Sequence, residues 1–267
     1  MKKKNYIIRT DLALHNTKLR FINSYKIDGI EIKEFINNSY NFTDIVFENI
    51  ENTYNKKLLI KVLVKELKKY LKKYNLNKKC SVLVVGLGNV KITSDSLGPL
   101  TLNNVIATSH LEYFNINNNY RKIYKYTPGI MKDTGLMPFQ SIKALINEIK
   151  PDFLIVVDSL ISDNIKYLNK VVQITDIGIT PGSGVSNYQE EISINTLNIP
   201  IIVVGVPTAI EALTIVKDVL NIKEKKIYFN EGYDFIFSTK DTDLIIDDLS
   251  KIIGEVINKS LNNFKKI

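Results

Sequence analysis

The sequence predicts an α/β fold, in which apolar strands alternate with amphipathic helices and pack against them in layers. Three observations carry this. The run Val82-Leu83-Val84-Val85 is apolar at every position, as a strand covered on both faces must be. Phe153–Val157 and Pro200–Val206 repeat that character. Beside these runs lie stretches with helical spacing of apolar residues. The clearest is 53–75, where Leu59, Leu63, Leu67, Tyr70, Leu71 and Tyr74 recur on one face.

Taken in order, residues 1–11 read as an exposed basic tail and Arg9–His15 as a short extended segment. Residues 26–36 and 42–50 alternate apolar and polar positions, as half-buried strands do. After the helix over 53–75, the Val82 strand turns at Gly86-Leu87-Gly88-Asn89 into a polar loop that delivers Asp95. Pro99 suits the first turn of a helix with Leu102, Val105 and Ile106 inward. The Asn-rich 115–119 is a loop, 120–126 a strand, and 138–149 an amphipathic helix closed before Pro151. Phe153–Val157 ends directly in Asp158, and Val171–Thr175 is a further strand leading into the Gly- and Ser-dense 176–187. Pro200–Val206 enters a helix over 209–220, and 222–238 reads as irregular or short strand. A final helix over 241–261 turns Leu244, Ile245, Leu249, Ile252, Ile253, Val256 and Ile257 inward. No repeat and no linker divides the chain.

Composition bounds the function. A chain of 267 residues, 45% of them apolar, makes one large domain with an ample core. No apolar run approaches the roughly 18 residues that span a bilayer. The basic N-terminus lacks the apolar stretch and small-residue cleavage site of a secretory signal. The single Cys80 cannot form an internal disulfide, which suits a reducing cytoplasm, and it reads as a packing residue. A net charge of +8 invites a nucleic-acid reading. The largest Lys cluster, however, is interleaved with the apolar stripe of 56–73 and reads as a solvated helix face, so no direct nucleic-acid partner is expected.

Ligands of open α/β sheets bind outside the carboxyl ends of the strands. Two buried strands each deliver an aspartate there, Asp95 and Asp158. Gly86-Leu87-Gly88 lacks the remaining elements of a dinucleotide fingerprint or a P-loop and reads as a tight turn. Pro181-Gly182-Ser183-Gly184 either presents successive N–H groups to an anion or is an ordinary Gly-rich loop. His15 and His110, the only histidines, lack zinc-site spacing, and no G-x-S-x-G elbow is present. Hydrolysis would then fall to carboxylates. Two neighbouring Asp cannot both ionise cheaply, so the ionised one can activate water while the protonated one donates to a carbonyl oxygen. Two Asp that merely cap loops are the other reading of the same pattern.

Together these segments resemble the germination protease family, endopeptidases of endospore-forming bacteria that degrade small acid-soluble spore proteins. The resemblance is carried by RTDLAL (9–14), VVGLGNVKITSDSLGPL (84–100), TPGIM with a following TG (127–135), KPDFLIVVDSL (150–160), QITDIGITPGSGVSN (173–187) and LNIPIIVVGVPT (197–208). It implies a prosegment of residues 1–11, removed by self-cleavage between Asp11 and Leu12, and a single α/β catalytic domain over 12–267. It implies a three-layer α/β/α sandwich with a mostly parallel, mixed central sheet, phosphorylase/hydrolase-like and related to hydrogenase-maturation endopeptidases. Asp95 and Asp158 match the proposed catalytic pair of this atypical aspartic-type peptidase. Asn89, Gly182, Ser183 and Gly184 are the candidate substrate-binding residues.

No metal and no cofactor is expected. The implied partners are the spore proteins as substrates and further copies of the chain in a homotetramer. No membrane is involved, and the implied place is the cytoplasm of the developing spore and the spore core. The chain departs from the family in lacking most of an insertion before the last helix, in a trimmed region after the prosegment, and in Thr180 and Ser186, where His and Gly are usual. Two other functions compete: a metal-dependent maturation-type endopeptidase using Asp95 with Asp158 or His110, and a non-catalytic spore protein of this fold.

Overall fold

A computed structural model describes residues 4–7, 10–16, 18–114, 116, 119–182, 190–221, 226–229 and 235–262. The first half of the chain forms β1 (Lys4–Ile7), β2 (Arg20–Ile27), β3 (Ile30–Asn37), β4 (Tyr40–Val46), α1 (Thr53–Lys73), β5 (Val82–Gly86), α2 (Leu97–Asn104), β6 (Ile123–Tyr126) and α3 (Met131–Thr134). The second half adds α4 (Pro138–Ile149), β7 (Phe153–Ser162), β8 (Val171–Thr175), α5 (Ile194–Leu197), β9 (Ile201–Glu211), α6 (Ala212–Val219), β10 (Lys226–Phe229), β11 (Ile236–Phe237) and α7 (Thr242–Leu261).

The main sheet runs β2-β3-β4-β8-β9-β7-β5-β6, with β11 paired to the far end of β9. β6, β5, β7 and β9 are mutually parallel. β8, β4, β3 and β2 continue the sheet antiparallel. Side chains alternate across a strand, so the apolar runs feed two cores at once. Val82, Val84, Ile155, Val157, Ile202 and Val204 pack with α1, α2 and α7. Leu83, Val85, Leu154, Val156, Ile201 and Val203 pack with α4 and α5. The result is the expected three-layer α/β/α sandwich with a mixed sheet, but the sheet is not mostly parallel: the parallel strands form only the half that runs from β9 to the β6 edge.

Helix α1 starts where the Asn52 side chain accepts from Asn55 N–H (2.8 Å), and it buries Leu59, Leu63 and Leu67 completely. Its Tyr70 hydroxyl donates to Ile174 O (2.8 Å) on β8 and lies 2.9 Å from Thr43 Oγ1 on β4, so the helix is keyed to the sheet by polar as well as apolar contacts. Cys80 is a free thiol, partly buried against this core. Among the described residues no helix is long and apolar enough to cross a membrane.

Several boundaries differ from the sequence reading. Residues 4–7 are not tail but a strand, paired antiparallel with β10 outside the main sheet. The stretch 26–36 is the end of one strand and most of the next. Asp28 (φ 46°) and Gly29 (φ 90°) turn the chain between β2 and β3, as a two-residue hairpin with both central φ positive requires. β7 continues to Ser162 because β9 runs on beside it to Glu211, which also delays the following helix to Ala212. The second helix ends at Asn104, leaving Ile106 43% exposed. In α7, Leu244 is 67% exposed and Ile246 takes the inward place, in phase with Leu249 and Ile253.

Candidate active site

Asp95 is set by a loop folded back on itself. Leu87 N–H donates to Val157 O, Asn89 N–H to Asp95 O and Asp95 N–H to Ile92 O, each at 2.9 Å. The Thr208 hydroxyl, on β9, donates to Ser94 O at 2.5 Å. Two glycines permit the fold. Gly88 has φ +112°, and a Cβ there would stand 2.1 Å from Asp95 O. Gly98 brings the first turn of α2 against the sheet, where a Cβ would stand 2.2 Å from Leu87 O and 2.6 Å from Val157 O. Burial pushes the Asp95 carboxyl up to about 6, against a hydrogen bond from the Asn89 main chain that favours its charged form.

Asp158 lies within β7 rather than at its end. Gly86, the last residue of β5, pairs with Val157, so Asp158 stands just past the carboxyl end of its neighbour strand. It is 7% exposed, and its Oδ1 accepts from Ser159 N–H at 2.9 Å. Burial holds its carboxyl well above the usual range, and the charges of Asp95 and then Asp11 push the same way. Both carboxyls are thus raised by burial, and the charge of Asp95 raises that of Asp158 further, so of the two Asp158 is the one held more firmly toward its protonated form.

Asp11 lines the same cleft, and the segment that follows it is held tightly. Asp11 N–H donates to Ile161 O (3.0 Å), and Asp11 Oδ2 accepts from Ile161 N–H (2.9 Å). Gln173, on β8, donates through Nε2 to Asp11 O (2.9 Å) and accepts from Ala13 N–H at Oε1 (2.7 Å). Asp44, paired with Gln173 across β4 and β8, accepts from Leu14 N–H at Oδ2 (2.9 Å). Leu12 is 1% exposed and packs with Leu160 and Val171. Ala13 packs with Phe35 and Phe42.

A cleft of about 600 Å³ brings together Asp11, Asn89, Asp95, Asp158 and Gly182. The Asn89 side-chain oxygen accepts from Lys91 N–H (3.0 Å) and so closes the Asp95 loop. Ser183 and Gly184 lie outside the described residues. His110 sits in a turn over 109–112 and packs edge-on against Phe114, away from the cleft. Among the described residues no group of three or more His, Cys, Asp or Glu side chains is arranged to hold a metal ion. Sequence reasoning missed Gln173, Asp44 and Ile161. Gln173 carried a signal, a polar side chain between the apolar residues of Val171-Val172-Gln173-Ile174, whereas Asp44 stands in a strand that also holds Asn41 and Thr43.

The fold and cleft define a class: an α/β/α chain with two raised carboxyls in one cleft beyond the carboxyl end of a parallel strand. Comparison with known proteins narrows it. The model of the germination protease family matches residues 22–228. The germination protease of Oceanobacillus iheyensis is 44% identical over 150 residues, 55% of this chain and 41% of that protein. That of Bacillus subtilis is 33% identical, over 81% of this chain and 67% of that one. That of Clostridium tetani is 30% identical, with 95% of each chain covered. Among solved structures, a hydrogenase maturation protease from Thermococcus kodakarensis is 15% identical with a TM-score of 0.40, over 72% of this chain and 99% of that one. The chain belongs to the germination protease family.

Proposed function

We propose that this chain is an endopeptidase of spore germination that cuts small acid-soluble spore proteins after an acidic residue and before an apolar one. Asp95 is the base and Asp158 the acid. The observation that carries the reading is that an acidic–apolar bond of the chain itself, Asp11–Leu12, has its acidic residue in the lining of the cleft that also holds the raised carboxyls of Asp95 and Asp158. Asp95 takes a proton from water, the hydroxide adds to the carbonyl carbon, and Asp158 gives its proton to the carbonyl oxygen. As the diol collapses, it returns a proton to Asp158, the amine takes the proton held by Asp95, and the C–N bond breaks. Both carboxyls are then as they began. On the same reading the chain is made as a zymogen, cuts its own Asp11–Leu12 bond, and leaves a catalytic domain over 12–267. The resemblance extends the proposal to a homotetramer acting in the spore core.

The test is a spore-protein peptide with one Glu–Ile bond, its products weighed by mass spectrometry with and without chelator. One cut after Glu, unchanged by chelator and slowed at least ~10²-fold by Asp158→Asn, is expected, as for loss of a general acid. An Asp158→Asn chain that cuts at the wild-type rate would refute the carboxylate mechanism.

A further inference from the structure

We propose that Gln173 is a substrate-binding residue of this reaction, its side-chain amide clamping the main chain on both sides of the residue that follows the cut. The inference rests on the endopeptidase reading. Gln173 stands in a strand whose other positions are all buried, and it is itself 5% exposed. A buried amide is costly without partners. Its partners, Asp11 O and Ala13 N–H, come from a segment some 160 positions away in the chain. A side-chain amide offers the same donor and acceptor as a peptide group, so it pairs with an extended chain of any sequence, as an added strand would.

The oxygen that Gln173 holds belongs to the carbonyl of the bond to be cut. A donor at 2.9 Å polarises that carbonyl and stabilises the charge that grows on its oxygen as water adds. Selectivity then comes from the neighbours. The Ile161 N–H receives the acidic side chain, and Leu160 and Val171 enclose the apolar one. These contacts read an acidic–apolar pair while Gln173 reads the backbone. The acidic side chain also helps chemically, because its charge favours retention of the Asp158 proton. For a second chain to be cut, residues 12–14 must leave the clamp.

The experiment uses the full chain and follows both its own Asp11–Leu12 bond and a peptide with one Glu–Ile bond. Gln173→Met keeps size and removes donor and acceptor, so kcat falls about 10²-fold, in the range for loss of one oxyanion donor. The second measurement leaves the enzyme intact: a peptide N-methylated at the second residue after the cut lacks the N–H that Ala13 supplies. Its kcat/KM with wild-type enzyme falls about tenfold, the size expected for one neutral hydrogen bond. The clamp requires that loss, since the methyl group removes the hydrogen that Gln173 Oε1 accepts from the chain it holds. If wild-type enzyme cuts both peptides equally, the clamp is wrong while the aspartate pair stands, whatever Gln173→Met does to folding. If wild-type enzyme cuts neither its own bond nor the unmodified peptide, the endopeptidase reading fails and the clamp with it.

Discussion

Asp44 offers a direct test of how the 10–14 segment is held. Its carboxyl is fully buried on β4, and burial pushes it from 3.8 up to about 7, against the Leu14 N–H bond and the charge of Lys33. Its Oδ1 has no hydrogen-bond partner among the described residues. The folded chain thus keeps a proton that the unfolded chain gives up near 3.8. Stability drawn from that proton is fully present below the unfolded value and is lost as pH rises through about 7. The gap of about 3 pH units, at about 1.4 kcal/mol each, makes the loss between about pH 4 and about pH 8 roughly 4 kcal/mol. Asp44→Asn abolishes the titration and leaves an acceptor for Leu14 N–H. Its amide adds a buried donor at a cost of about 1–3 kcal/mol that does not change with pH. The assay is urea unfolding of an Asp158→Asn chain with and without Asp44→Asn, a background free of the other strongly raised carboxyl. Relative to its parent, the double variant gains about 4 kcal/mol on going from about pH 4 to about pH 8. The same difference at both pH values would refute proton uptake by Asp44.

The rate of peptide cleavage rises with pH as Asp95 ionises near 6, then falls as Asp158 surrenders its proton. A kcat that does not rise as Asp95 ionises near pH 6 would refute its role as the base. Gly98→Ala places a methyl group 2.2 Å from Leu87 O and 2.6 Å from Val157 O, so the first turn of α2 must lift from the sheet. The expected cost is about 3 kcal/mol, read by urea unfolding, and a loss under about 0.5 kcal/mol would show that the turn is not pinned there.

Asp158 was legible because it directly follows a run of apolar residues, and Asp95 because the loop after such a run carries it; where a run stops a side chain can meet solvent and ligand. The exact end of the second strand was not. Its extension to Ser162 is imposed by β9, and a neighbour's length leaves no mark on the strand's own pattern. The hairpin at Asp28-Gly29 carried its signal in two adjacent residues. The pairing of Lys4–Ile7 with Lys226–Phe229 carried none, because alternation says that a strand exists and not which strand lies beside it.

The same limit explains Gln173 and Asp44. A Gln inside Val-Val-Gln-Ile-Thr announces a buried polar group that needs a partner, whereas an Asp beside Thr43 reads as a polar position of a half-buried strand. Neither announces that the partner is residues 11–14. That follows only once β8 is placed between β4 and β9, which sets Asp44 opposite Gln173 and turns both toward the segment. The two proposed catalytic carboxyls are marked locally, one in the loop after β5 and one where the apolar run of β7 stops, whereas the proposed grip on the backbone is a property of strand order. A substitution that leaves every local pattern intact but moves β8 by one residue would therefore spare Asp95 and Asp158. It would also turn Gln173 to the opposite face of the sheet and empty the clamp.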